Sequence, residues 1–177
     1  MTAQKRGNMT FEELYEQFFV KVYNYARYRC ANEQEAEDLS ACIFAKIYKK
    51  FDTYNPQKAK PEIWVFTIAH SVMVDFFRRK KLRALFSFTE EQEETLTAPK
   101  DSPAESLEKT ETEGQLKKAL QLLSESEREI INLHYYQHLK QAEIAAIMKI
   151  TQSNVGVILH RTVKKLKLNF GNEYEEK

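Results

Sequence analysis

What the chain has little of narrows its class. Its 177 residues include only 4 Gly and 4 Pro, and no alternating Val/Ile/Thr-rich runs lie between turn signals, so long helices are expected and a sheet protein is not. No apolar run approaches the roughly 18 residues of a membrane span, and Met1 to Met9 lacks the apolar centre of a secretory signal. No membrane insertion and a cytoplasmic location are therefore expected. The 2 cysteines, Cys30 and Cys42, lack CxxC spacing, which removes a disulfide or zinc framework. There is no Gly-rich phosphate loop, no HExxH and no spacing that suggests a Ser, His and acid set, so neither catalysis, nor a cofactor, nor a small-molecule substrate is expected. His134 and His138, four apart, are the one hint of a metal site. Without nearby Cys or Glu ligands they read as packing residues.

The net charge of +1 hides a strong division. Residues 1–88 carry 15 Lys and Arg against 10 Asp and Glu, residues 89–113 carry 2 against 9, and residues 114–177 carry 10 against 7. The acidic stretch contains Glu90, Glu91, Glu93, Glu94, Pro99 and Pro103 with few large apolar residues, the composition of a flexible linker. The lesser alternative is a solvated helix in its second half, nucleated at Ser106-Leu107-Glu108. The expected architecture is all-α, with two small helical domains at 10–83 and 114–169 joined by an acidic linker over 84–113.

Three helices are predicted in the N-terminal part. Thr10 and Glu13 form a capping-box pattern, followed by the stripe Phe11, Leu14, Tyr15, Phe18, Val22 and Tyr25. Asn32 starts a second helix with Ala36, Leu39, Ile43, Phe44, Ile47 and Phe51 inward. After Pro56 and Pro61, a third helix runs from about Glu62 through Trp64, Ile68, Val72, Phe76 and Phe77. It ends in Arg78, Arg79, Lys80, Lys81 and Arg83, a cluster that suits a helix C-terminus and can bind phosphate.

The C-terminal part is the most telling. Ser124 and Glu127 repeat the capping box, with Ile130, Ile131 and Leu133 inward. Ala142 to Met148 carries apolar residues at helical spacing, Lys149-Ile150-Thr151 interrupts it, and Gln152 to Leu168 resumes the period. This is a helix-turn-helix pattern, whose second helix presents its N-terminal residues to a DNA major groove. Thr151 is the expected cap, Val155, Leu159 and Leu166 fall inward, and Gln152, Ser153 and Asn154 occupy the first turn, where Gln and Asn can pair with adenine. Arg161, Lys164, Lys165 and Lys167 add positive charge outside.

Ala36-Glu37-Asp38-Leu39 with Ile43-Phe44, then Trp64 to Ala69, then Asp75-Phe76-Phe77-Arg78-Arg79 resembles the polymerase-binding and promoter-melting domain of bacterial sigma factors. Leu123 to Glu129, Glu143-Ile144-Ala145, Val155 and Leu159-His160-Arg161 resembles their minus 35 reading domain. The ordered set resembles a group 4 sigma factor of the extracytoplasmic-function type within the sigma-70 family.

That resemblance implies a subunit that directs core RNA polymerase to promoters and helps to melt DNA. It implies polymerase contacts, on the clamp and flap regions, through Glu37, Asp38, Leu39 and Phe44. Periodicity alone places Leu39 and Phe44 in the core, and dipole complementarity alone accounts for the acids. The implied minus 10 and melting set is Tyr54, Asn55, Lys58, Lys60, Trp64, Asp75, Arg78, Arg79, Lys80 and Lys81. A lone Trp at helical spacing is more commonly core than a base-stacking platform. The implied minus 35 set is Thr151, Gln152, Ser153, Asn154, Gly156, His160, Arg161 and Lys164. An anti-sigma factor is an expected partner beside polymerase and promoter DNA.

Departures from the family pattern are specific. Lys149 stands where a small residue or Gly is common, Lys140 where a Ser or Thr cap is common, and Gly156-Val157-Ile158 replaces a frequent Lys-Ser-Arg run. The last change removes two possible cationic contacts, so polymerase tethering would supply much of the binding energy. Gly156 weakens the helix by up to about 1 kcal/mol relative to Ala; close approach of backbone to DNA is one reason to keep it, and simple tolerance is the other. A stand-alone helix-turn-helix regulator and a degenerate decoy for an anti-sigma factor are the alternatives.

Overall fold

The computed structural model describes residues 5, 6, 9–30, 32–87 and 122–171. The acidic stretch expected as a linker lies outside them from residue 88 onward. The chain divides into an N-terminal unit within residues 1–99 and a C-terminal unit within residues 100–177.

In the N-terminal unit, a two-residue antiparallel pair, β1 (Lys5–Arg6) and β2 (Met9–Thr10), leads into α1 (Phe11–Arg27). The Thr10 hydroxyl accepts the Glu13 N–H at 3.2 Å and the Glu13 carboxylate accepts the Thr10 N–H at 2.7 Å, so the capping box forms as its residues predict. Asn32 likewise caps α2 (Glu33–Lys50) through the Glu35 N–H. A single 3₁₀ turn (Phe51–Thr53) and a short loop lead to α3 (Pro61–Ser87), with Pro61 in the first position, where its missing N–H costs nothing.

The three helices pack against one another around Leu14, Phe18, Val22 and Tyr25 of α1, Ile43 and Ile47 of α2, and Val65, Phe66, Ala69 and Met73 of α3. Tyr25 and Phe66 meet edge to face at 5.4 Å, a geometry that adds about 0.5–1.5 kcal/mol to area burial.

Two expectations are corrected in this unit. Tyr15, placed on the buried stripe of α1, is exposed. The buried face of α3 is rotated by about one residue: Val65, Phe66, Ala69 and Met73 are inside with Ile68, while Trp64, Val72, Phe76 and Phe77 are only half-buried. Apolar residues occur around most of this helix's circumference, so periodicity could not phase it. Helix α3 also runs on through residues 84–87, past the basic cluster, which is therefore not its last turn and gains little from the helix dipole there.

In the C-terminal unit, α4 (Glu125–Ile131) begins with the Ser124–Glu127 capping box and opens into a π turn (Asn132–Tyr136). Next come α5 (Gln141–Met148) and α6 (Gln152–Gly171), and both α4 and α5 pack on α6. The core is aliphatic, made of Ile130, Leu133, Ile144, Ile147, Val155 and Leu159. The Lys140 N–H donates to the Glu143 carboxylate at 2.9 Å, half of a capping box, since lysine offers no side-chain acceptor. Sequence patterning had no sign of the π turn, nor of the burial of Glu129 and Asn132 beside it.

Candidate protein and nucleic-acid interfaces

The turn between α5 and α6 is built by its own backbone bonds. Lys149 lies in the left-handed region at φ 56° and ψ 42°, where glycine is favoured, and Ile150 N–H reaches back to the Ala145 carbonyl at 3.1 Å. Thr151 then caps α6, its hydroxyl accepting the Asn154 N–H at 3.2 Å. The cap exposes Gln152, Ser153 and Asn154 on the first turn, and His160, Arg161 and Lys164 follow on the outside. Val155, Leu159 and Thr162 are buried and set the rotation of the helix.

A Cβ at Gly156 would come 3.2 Å from Gln141 Oε1, the end of a flexible side chain, so a small shift of Gln141 would accommodate it. Lys165, expected among the outward cations, bonds Glu127 at 2.5 Å, and that hydrogen bond is the main reason the Glu127 carboxyl is held below the usual carboxylate range. Arg161 and Lys164 have no carboxylate partner among the described residues. His134 Nδ1 lies 3.0 Å from the Leu139 carbonyl, and no group of three or more metal-binding side chains occurs among the described residues.

In the N-terminal unit, Glu37 and Asp38 are exposed on α2, with Gln34 Nε2 donating to Asp38 Oδ1 at 3.2 Å. Leu39 and Phe44, implied as polymerase contacts, are 2% and 5% exposed. They are core residues, as their periodicity alone indicates. Phe44 nevertheless forms the floor of a groove of about 430 Å³ between α1 and α2, walled by Tyr15, Phe19 and Tyr23 with Glu33 and Glu37 at its rim. Its ring is 4.7 Å from Tyr15 and 6.1 Å from Phe19. The Tyr23 hydroxyl donates to Glu33 at 3.3 Å, and desolvation, followed by the Glu33 charge, raises its pKa. Phe11, Tyr15, Phe19 and Tyr23 recur every four residues, a signal legible in the sequence, of which only Phe11 and Tyr15 were assigned, to the core.

The loop between α2 and α3 turns on Asn55, whose side-chain oxygen accepts the Gln57 N–H at 2.9 Å. Asn55, Lys58 and Lys60 are exposed. Tyr54 is 4% exposed and packs on half-buried Trp64 at 5.0 Å, so it supports the loop from beneath and presents no face for a base to stack upon. Burial, with a smaller contribution from Glu62, raises its pKa.

The cationic run on α3 splits in two. Arg78 bonds Asp75 at 3.1 Å, and Lys80 bonds Glu35 at 2.5 Å, tying α3 to the first turn of α2. Arg79 and Lys81 are exposed without a carboxylate partner among the described residues. Arg79 also borders a groove floored by Leu39, Val72 and Phe76.

Two family models match the chain in order: Sigma-70 region 2 over residues 14–83 and Sigma-70 region 4 over residues 113–166. The chain belongs to the sigma-70 family. Its relatives place it with the extracytoplasmic-function branch. It is similar to the RNA polymerase sigma factor YlaC of Bacillus subtilis, 29% identical over 94% of this chain and 95% of that one. It is also similar to the ECF RNA polymerase sigma factor BldN of Streptomyces coelicolor, 28% identical over 93% of this chain. The match spans 61% of the BldN chain. The fold is similar to that of the sigma factor RpoE in a co-crystal with the anti-sigma factor NepR from Bartonella quintana, with a TM-score of 0.71 at 20% identity, covering 91% and 96% of the two chains. No helix among the described residues is long and apolar enough to cross a membrane.

Proposed function

We propose that this chain is a dissociable promoter-specificity subunit, which binds bacterial core RNA polymerase in the cytoplasm, reads the minus 10 and minus 35 elements and promotes melting without catalysing a reaction itself. The observation that carries this reading is the ordered pair of region 2 and region 4 matches on one chain. The domains run over 10–83, whose last helix continues to Ser87, and 114–169, and the acidic stretch between them is their linker.

Glu37, at the rim of the aromatic groove, and exposed Asp38 are the polymerase-facing residues, their charge suited to basic side chains on the clamp. Asn55, Lys58 and Lys60 face the minus 10 strand, with Tyr54 and Trp64 as the support beneath them. Arg79 and Lys81 neutralise phosphates, while Arg78 and Lys80 must first exchange Asp75 and Glu35 for DNA. On α6, Gln152, Ser153 and Asn154 reach base edges, and His160, Arg161 and Lys164 hold the backbone. An anti-sigma factor that covers these surfaces is the expected inhibitor.

The test is capture of purified core polymerase by this chain beside an Asp38→Lys variant. Capture by the native chain, lost in the variant, supports the assignment. No capture by either chain removes it in favour of a free DNA binder or a decoy.

A further inference from the structure

We infer that Val157 is a specificity-determining residue that reads the C5-methyl group of a thymine in the upstream promoter element, an inference that rests on the promoter-reading role proposed above. The rotation of α6 is set by Val155, Leu159 and Thr162 in the core. That leaves Val157 outside at 43% exposure, one turn after Ser153 and one turn before Arg161, both exposed. A lone exposed valine is ordinary on a protein surface. This one stands on the second turn of the helix that the turn and the Thr151 cap present outward, on an arc whose other members are polar or charged.

The chemistry of the position is restrictive. Valine has no donor or acceptor, and its branched Cβ holds χ1 to few rotamers. The thymine methyl is the apolar feature of the major-groove edge, whereas the other bases present donors and acceptors there. An isopropyl group pressed against one of those would strip water from it without replacing the hydrogen bond, so the same side chain favours thymine and disfavours the alternatives. Val157 stands at the Ser position of the frequent Lys-Ser-Arg run, so a hydroxyl that pairs with more than one base edge gives way to an apolar group that favours one base.

Random-sequence duplexes, enriched on core polymerase carrying this chain, supply the upstream site. Uracil is then substituted for thymine at each enriched position, which deletes only the methyl group. The native chain should lose about threefold to fourfold in affinity at one position, the scale of one buried methyl group, and a Val157→Ser variant should show no loss there. Since Val157 lies outside the core, the variant should keep the native helical circular dichroism. Uracil tolerance at every thymine, or a loss that persists unchanged in Val157→Ser, overturns the inference. Failure to enrich any duplex while polymerase is still captured removes the promoter-reading role itself, and this inference with it.

Discussion

On α3, Arg78 to Lys81 form an unbroken run of four cations, and two of the four are bonded to carboxylates. On α6, Arg161 and Lys164 stand three apart with Lys165 next to the latter, and of these three Lys165 alone has a carboxylate partner among the described residues. Successive helical residues point about 100° apart, so a contiguous run reaches around the helix, and some of its members necessarily meet neighbouring elements. Residues three apart stay on one face. A contiguous cationic run therefore overstates the phosphate-binding surface, and part of it is structural, as when Lys80 holds α3 to the start of α2.

The sharpest way to break this comparison is to remove the two halves of the α3 run separately. Arg79→Ala with Lys81→Ala should reduce the slope of log affinity against log salt by about two and weaken promoter binding by on the order of tenfold, with thermal stability unchanged. Arg78→Ala with Lys80→Ala should change the salt slope less and lower the melting temperature. Fluorescence anisotropy across a salt series and thermal denaturation separate the two results. An equal salt effect from both pairs would erase the distinction.

The presentation of α6 can be tested at its cap. Thr151→Ala removes the bond to the Asn154 N–H and should cost about 1 kcal/mol of stability, with weaker upstream-element binding because Gln152, Ser153 and Asn154 lose their ordered turn. Denaturant unfolding and binding to a minus 35 duplex check the two effects.

The smallest expected effect concerns Lys165 of α6, paired with Glu127. Lys165→Ala should cost less than about 1 kcal/mol, since the pair is partly exposed. Glu127 has a lowered folded-state pKa, so its contribution is present above the unfolded carboxyl pKa and is lost as pH falls through the folded value. The native chain should accordingly lose stability over the acidic range faster than the variant, and pH-dependent melting curves would show the two converging.

Much of the site was legible in local patterns. The caps at Thr10, Asn32, Ser124 and Thr151 form as their residue types predict, since each depends on a side chain meeting an amide three residues away. The phase of α3, the exposure of Tyr15, the burial of Tyr54 and the closeness of Gly156 to Gln141 were not legible. Each depends on which distant element arrives against the residue, and sequence spacing carries no record of that.

Few glycines and prolines, helical periodicity and four capping residues were enough to determine an all-α chain with a helix-turn-helix, because those signals act within one turn of backbone. Tertiary packing decided which cations remain available to DNA, which aromatic residues of α1 form a groove with Phe44, and that Val157 faces outward. The reason is geometric: a side chain's availability is set by its neighbours across helices, and those contacts exist only after the helices have packed.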